Sequence, residues 1–191
     1  MSFETPVTVL FVDDDPMVLR SLSRAVGHTV AVCTASSAEE AIDLLRTQSV
    51  DVVVSDLDLP DMNGIELLGV IRREHPRAIR MMLTGGASLD RAIGAINEGE
   101  LHRFFVKPLD LQAFASTMQA LGDRIALSRQ ESARERERAR RRAFFEWVDA
   151  GGRPPSVGRD AAGDLVIDDD LLEAALRAAG ATEALALLGD E

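Results

Sequence analysis

The stretch VTVLFVDDDP, residues 7–16, joins a continuous apolar run to an acidic cluster and a proline. An apolar run of this length without alternation is typical of a strand buried on both faces of a parallel sheet. Asp15 and Pro16 fit the cap and first turn of a helix, because aspartate accepts unpaired N–H groups there and proline has none to satisfy. The stretch therefore predicts a buried strand that leads directly into a helix.

The same alternation continues to about residue 122. Four more apolar runs of strand length follow, at residues 29–33, 51–55, 79–83 and 103–106. Helical patterns separate them, including a capping box formed by Ser37 and Glu40 and a helix that begins at Ser88 or Asp90. Alternation of this kind predicts an α/β fold with a doubly wound, five-stranded parallel sheet, most readily in the order 2-1-3-4-5.

The chain changes character after Gly122. Residues 123–149 are rich in arginine and glutamate and end in an aromatic cluster, so they predict a charged extension of the last helix. Residues 150–164 hold several glycines and prolines and predict a loop or linker. Residues 165–191 predict a short α-helical C-terminal segment. We therefore expect one α/β domain at residues 5–122, followed by these three smaller segments.

Composition excludes several classes of protein. The formal net charge of −11 disfavours nucleic acid as a general partner. No apolar stretch is long enough to cross a membrane, and no signal peptide is evident at the start of the chain. The single cysteine, Cys33, precludes an internal disulfide and suits a reducing cytoplasm. These features predict a cytoplasmic protein that does not enter a membrane.

Polar residues stand where the predicted strands end: Asp13 and Asp14 after the first, Asp56 after the third, Thr84 after the fourth and Lys107 after the fifth. Lys107 is the only lysine in the chain. In the order 2-1-3-4-5 the strand order reverses between the first and third strands, and ligands bind at such points beyond the carboxyl ends of the strands. We therefore expect these five side chains to meet.

Crowded carboxylates repel one another, and a divalent cation relieves that repulsion. Asp14 and Asp56 are candidate direct ligands of Mg²⁺, Asp13 a candidate ligand through water, and Asp58 a candidate through its backbone carbonyl. A carboxylate can also attack phosphorus to give an aspartyl phosphate. In that reaction the Lys107 ammonium and the Thr84 hydroxyl would stabilise the transferred group.

Four motifs resemble, in order and spacing, the receiver domain of two-component response regulators: VLFVDDDP, VDVVVSDLDLPDMNG, MMLTGG and RFFVKP. The resemblance covers residues 5–122 and implies a flavodoxin-like fold with Mg²⁺ as cofactor. The implied roles are an acidic pair (Asp13 and Asp14), a phosphoacceptor (Asp56), a switch hydroxyl (Thr84), a switch aromatic residue (Phe104) and the lysine of the site (Lys107). It further implies a sensor histidine kinase as phosphoryl source and a signalling protein rather than an enzyme. Output is expected through an unidentified protein partner or a homodimer.

Two other functions compete with this interpretation. Asp56-Leu57-Asp58 after an apolar strand resembles the nucleophile motif of haloacid-dehalogenase-type phosphatases, although that family places the motif on its first strand. The Arg-rich residues 131–142 (ESARERERARRR) suggest a DNA-binding regulator. Interleaved glutamates and the absence of a helix-turn-helix pattern argue against that second alternative.

Overall fold

The computed structural model describes residues 6–85, 94, 101–149, 151, 158–159, 165–166 and 177. Contacts divide the chain into two compact units, Met1–Leu127 and Ser128–Glu191. The helix predicted from Ser88 or Asp90 lies outside the described residues, as do most of the segments predicted at residues 150–164 and 165–191.

The first unit contains one parallel sheet in the order β2-β1-β3-β4-β5, which confirms the predicted doubly wound topology. Its strands are β1 (Thr8–Val12), β2 (Ala31–Ala35), β3 (Val52–Asp56), β4 (Ile79–Gly85) and β5 (Arg103–Lys107). The described helices are α1 (Pro16–Val26), α2 (Ala38–Thr47), α3 (Gly64–Glu74) and α4 (Leu111–Asp149). Helix α4 is one continuous helix of 39 residues, as expected for an extended last helix.

The predicted position of the second strand is wrong by two residues. Residues 29–33 were expected, and β2 is Ala31–Ala35. The backbone N–H groups of Thr29 and Val30 both donate to the carbonyl of Val26, at 2.9 and 3.3 Å, so they close the end of α1 instead of pairing in the sheet. The apolar character of this run did not distinguish a helix terminus from a strand.

The predicted cap of α1 is confirmed, and that of α2 is confirmed in part. Asp15 accepts a hydrogen bond from the N–H of Met17 at 2.7 Å. At the start of α4, Asp110 accepts from the N–H groups of Gln112 and Ala113. Ser37 caps α2 as predicted. The Glu40 carboxylate, however, accepts hydrogen bonds from the N–H and the hydroxyl of Ser36. A capping box requires the N–H of Ser37, one residue later.

The pleat of the strands sends alternate side chains into two cores, one on each face of the sheet. Leu10, Val53 and Met82 enter one core, where α2 and α3 pack. On the other face, Phe11 and Phe105 contact Phe114 of α4, at ring distances of 6.0 and 5.0 Å. In α4, Phe114 and Met118 are buried, whereas Leu111, one turn before Phe114, is 41% exposed.

The second unit is described in part. Residues 131–138 of α4 are exposed, and Arg141 pairs with Glu137, four residues earlier, at 2.8 Å. Gly158–Arg159 (β6) and Leu165–Val166 (β7) form a two-stranded antiparallel sheet inside ranges predicted as loop and helix. Strands of two residues carry no periodic signal, so the sequence could not reveal them. None of the described helices is long and apolar enough to cross a membrane.

Candidate functional site

The carboxyl ends of β1, β3, β4 and β5 carry the predicted site residues to one edge of the sheet. Asp13 follows β1 directly, Asp56 is the last residue of β3, and Lys107 is the last residue of β5. Asp13, Asp56 and Thr84 are almost fully enclosed, with 1%, 7% and 0% of their surface exposed. The fold thus places ionisable groups in a partly dehydrated position, where their mutual interactions are stronger than in water.

Lys107 joins the two buried carboxylates. Its Nζ lies 2.5 Å from Oδ1 of Asp56 and 2.9 Å from Oδ2 of Asp13. Partial burial alone would lower the pKa of Lys107, but hydrogen bonds and charge attraction from Asp56 and Asp13 outweigh it and raise that pKa above its ordinary value. The ammonium therefore stays charged and offsets part of the repulsion between the two aspartates.

Each buried carboxylate is also fixed by the backbone that follows it. Oδ1 of Asp13 accepts the N–H of Asp15, and Oδ2 of Asp56 accepts the N–H of Asp58, both at 2.9 Å. Because both oxygens of Asp56 have a partner, its carboxylate is held in one orientation. A carboxylate that is oriented in this way and lies at the surface end of a strand can act as a nucleophile towards an electrophile that approaches the edge.

Asp14 and Asp58 have exposed side chains beside this pair. Within the described part of the chain, no group of three or more His, Cys, Asp or Glu side chains is arranged to hold a metal ion. Carboxylates of two aspartates, one backbone carbonyl and water are nonetheless a donor set that suits Mg²⁺, which prefers oxygen ligands and keeps several waters.

Thr84 and Phe104 lie on the same side of the sheet. Thr84 pairs with Val106 in the register of β4 and β5, and Phe104 precedes Val106 by two residues. The Thr84 hydroxyl donates to the carbonyl of Gly85 at 3.1 Å, and Phe104 is half-buried against the core of that face. The two residues predicted to act as a switch are thus neighbours in space.

Two residues at the site had no assigned role in the sequence. Gly64, the first residue of α3, is buried so tightly that a Cβ would lie 2.0 Å from the carbonyl oxygen of Asp56. Asp61 accepts the N–H groups of Ala38 and Glu39 at 3.0 and 2.9 Å. A glycine at the start of a predicted helix could have indicated the close approach at Gly64. Nothing in the sequence indicated the partners of Asp61.

The family model of the response regulator receiver domain matches residues 9–119. The chain is 34% identical over 101 residues to the hydrogenase transcriptional regulatory protein HoxA of Cupriavidus necator, covering 53% of this chain and 21% of HoxA. It is 30% identical over 166 residues to the probable transcriptional regulatory protein TcrX of Mycobacterium tuberculosis, covering 86% of this chain and 60% of TcrX. The chain thus spans only part of these relatives.

A solved structure of a receiver domain has a fold similar to that of this chain. The signal receiver domain of an HD domain-containing protein from Pseudomonas fluorescens Pf-5 is 34% identical, with a TM-score of 0.58, covering 71% of this chain and 96% of that one. Receiver domains generally bind Mg²⁺ in an acidic pocket, accept a phosphoryl group on aspartate and interact with sensor histidine kinases. The chain belongs to the response regulator receiver family of two-component signalling, and its receiver domain covers residues 9–119.

Proposed function

We propose that this chain is a Mg²⁺-dependent phospho-switch in which Asp56 is the phosphorylated residue and a sensor histidine kinase is the donor. The observation that carries the proposal is the contact of Lys107 with both Asp56 and Asp13. It supports a site where a carboxylate nucleophile, a second carboxylate and a fixed positive charge meet at the ligand-binding edge of a parallel sheet. Phosphoryl transfer depends mainly on such positioning and charge neutralisation.

In the proposed reaction, a carboxylate oxygen of Asp56 attacks the phosphorus of a phosphohistidine. The P–N bond breaks as the new O–P bond forms, and the leaving imidazole takes up a proton. Mg²⁺ would be held directly by Asp14, Asp56 and the backbone carbonyl of Asp58, and through water by Asp13, and would neutralise charge on the phosphoryl oxygens when bound. The residues of the chain itself orient the nucleophile: the N–H of Asp58 holds one oxygen of Asp56.

The switch would follow from the charge of the phosphoryl group. Its oxygens are strong acceptors near Lys107 and Thr84, so Lys107 would shift its contact from the carboxylates and the Thr84 hydroxyl would turn from Gly85. Movement of Thr84 would open space that Phe104 on the same face can fill. Phe104 lacks a hydroxyl, so its two positions would differ in packing alone.

We further propose that the chain is a cytoplasmic signalling protein and is not an enzyme in its own right. Residues 5–122 would be the switch, 123–149 the charged extension, 150–164 a linker and 165–191 a C-terminal segment. Output would pass through contact with another protein or through a homodimer. The glutamates interleaved in residues 131–142 of α4 make that helix a poor match for nucleic acid.

Labelling with a small-molecule phosphodonor such as acetyl phosphate tests this function. Wild-type protein in Mg²⁺ should gain one equivalent of acid-labile phosphate, and Asp56→Asn should gain none. Asp58→Asn is the matched control, because it removes a neighbouring exposed carboxylate and keeps the backbone groups of that residue. Undiminished labelling of Asp56→Asn would contradict the assignment, and many turnovers of a phosphate ester would favour the phosphatase alternative.

A further inference from the structure

The loop between Asp56 and Gly64 is tied at its tip to another helix. Both carboxylate oxygens of Asp61 are used: Oδ1 accepts the N–H of Ala38 at 3.0 Å, and Oδ2 accepts the N–H of Glu39 at 2.9 Å. These two groups belong to the first turn of α2, where helical N–H groups have no partner within the helix. Asp61 therefore caps a helix that begins 23 positions before it.

The cap from Asp61 completes the first turn of α2. Ser37, the local cap, accepts only the N–H of Glu40, at 3.2 Å. The remaining two N–H groups depend on Asp61, whose negative charge also suits the positive end of the helix dipole. Hydrogen bonds from Ala38 and Glu39 lower the pKa of Asp61, as expected for contacts that stabilise the ionised carboxylate.

The base of the same loop is closed by its own backbone. The N–H of Gly64 donates to the carbonyl of Leu57 at 2.8 Å, and Asp58 and Asn63 form an isolated antiparallel bridge. Only a few residues separate the tip of the loop from its base. The attachment of Asp61 to the start of α2 therefore constrains the position of Asp58. Asp58 in turn holds Oδ2 of Asp56 through its N–H.

Asp13, on the other side of the site, is bonded to the segment that leads into α2. The N–H of Asp13 donates to the carbonyl of Ala35, the last residue of β2, at 3.2 Å. Ala35 lies three residues before Ala38, which Asp61 caps. The start of α2 is thus attached both to the segment that carries Asp13 and to the loop that carries Asp58.

We propose that Asp61 is a positioning residue, which holds the Asp58 backbone and the Asp56 carboxylate in place for Mg²⁺ and the phosphoryl group by anchoring their loop to α2. This inference rests on the proposed function. A cap that only stabilises α2 would affect the free energy of unfolding and leave metal affinity unchanged. A residue that positions the loop should also change metal affinity. Direct partners of metal ligands do so by about 10-fold or more, and Asp61 would act on the ligands through the loop.

The test compares Asp61→Ala, Asp61→Asn and the control Asp43→Ala with wild type in the full chain. Asp43→Ala removes an exposed carboxylate that pairs with Arg46 within α2 and has no contact with the loop among the bonds described. Three quantities are measured: the Mg²⁺ dissociation constant by calorimetry, the unfolding free energy in urea without Mg²⁺, and the rate of labelling by acetyl phosphate at saturating Mg²⁺.

We expect Asp61→Ala to weaken Mg²⁺ binding by about 10-fold and to slow labelling even when Mg²⁺ saturates the site. Asp61→Asn keeps one carbonyl acceptor and should recover part of the affinity, which also provides a folded variant if the alanine variant is unstable. Asp43→Ala should match wild type in all three measurements except for a small change in stability.

Mg²⁺ affinity and labelling rates of Asp61→Ala and Asp61→Asn that equal those of wild type would overturn this proposal, whatever their stability. That result would leave the proposed function intact, because wild type would still bind Mg²⁺ and become labelled. Failure of wild type itself to bind Mg²⁺ or to label at Asp56 would overturn the proposed function and the role of Asp61 with it.

Discussion

The ammonium of Lys107 donates a hydrogen bond to Asp13 at 2.9 Å, although the two residues stand 94 positions apart in the chain. Asp13 is almost fully buried, whereas about a third of the Lys107 side chain reaches solvent. The same ammonium contacts Asp56. Lys107 is therefore the shared counter-ion of two aspartates that come from different strands, and the charge balance of the site depends on it.

Removal of this counter-ion should destabilise the fold. We expect Lys107→Ala to lower the free energy of unfolding by about 1–3 kcal/mol in metal-free buffer, because two enclosed carboxylates would lose a charged partner. Urea unfolding followed by circular dichroism measures the change. Added Mg²⁺ should restore much of the loss, since bound metal stabilises the native state by mass action.

The control for this prediction is Arg46→Ala. Arg46 pairs with Asp43 at the same 2.9 Å, but both side chains are 66% exposed, so the loss should be about 0–1 kcal/mol. Equal losses for the two variants would mean that the Lys107 contacts contribute no more than a surface ion pair.

A side chain at position 64 should disturb the site directly. The Cβ of Gly64→Ala would lie 2.0 Å from the carbonyl oxygen of Asp56, so the backbone must shift at a cost of about 1–3 kcal/mol. Gly122→Ala is the matched control, because its Cβ would meet only Val30 at 3.5 Å and alanine favours the helix by about 1 kcal/mol. Thermal unfolding should therefore move in opposite directions for the two variants, and a neutral Gly64→Ala would refute the close approach.

Thr84 should matter after phosphorylation and little before it. Its hydroxyl contacts Gly85 in this structure, so Thr84→Ala should bind Mg²⁺ like wild type. The phosphorylation-induced change in amide hydrogen exchange across β5 should be lost in Thr84→Ala and kept in Thr84→Ser, which retains the hydroxyl. If Thr84→Ala shows the same change in hydrogen exchange as wild type, Thr84 takes no part in the switch.

Stability should fall on mild acidification because of His102. Partial loss of hydration and the nearby Arg80 guanidinium lower the pKa of His102 below its ordinary 6.5. Its Nδ1 accepts the N–H of Arg80 at 3.1 Å, which requires the neutral imidazole. As pH falls through 6.5 the unfolded chain takes up a proton first, so the native state loses stability until the pH passes the lower, folded pKa.

His102→Asn tests this pH dependence, because its side-chain oxygen can accept the same N–H without binding a proton. The unfolding free energy of wild type, measured from pH 8 to pH 5, should decline more steeply than that of the variant. Parallel curves would show that another group is responsible.

The wrong and missing predictions have different causes. Residues 29–33 have the composition of a strand, but Thr29 and Val30 bond to the carbonyl of Val26 and form the turn after α1. That partner is local, but an apolar run does not show whether its first residues bond to the preceding helix or to the sheet. Asp61 looks like an ordinary turn residue, yet it caps a helix that precedes it by 23 positions. Its partners are backbone groups that only the packing of separate segments brings close, and no local pattern records them.

The sequence by itself determined the strand and helix order, the parallel topology and the identity of Asp13, Asp56, Thr84 and Lys107 as residues of one edge. Apolar runs and caps act locally, and parallel strands can only present their ends together, so these features follow from pattern alone. The tertiary structure decided that Lys107 bridges Asp13 and Asp56, that Gly64 admits no side chain, and that Asp61 anchors the loop to α2. Such contacts depend on distances of a few ångströms between segments far apart in the chain, and only packing of the whole domain sets them.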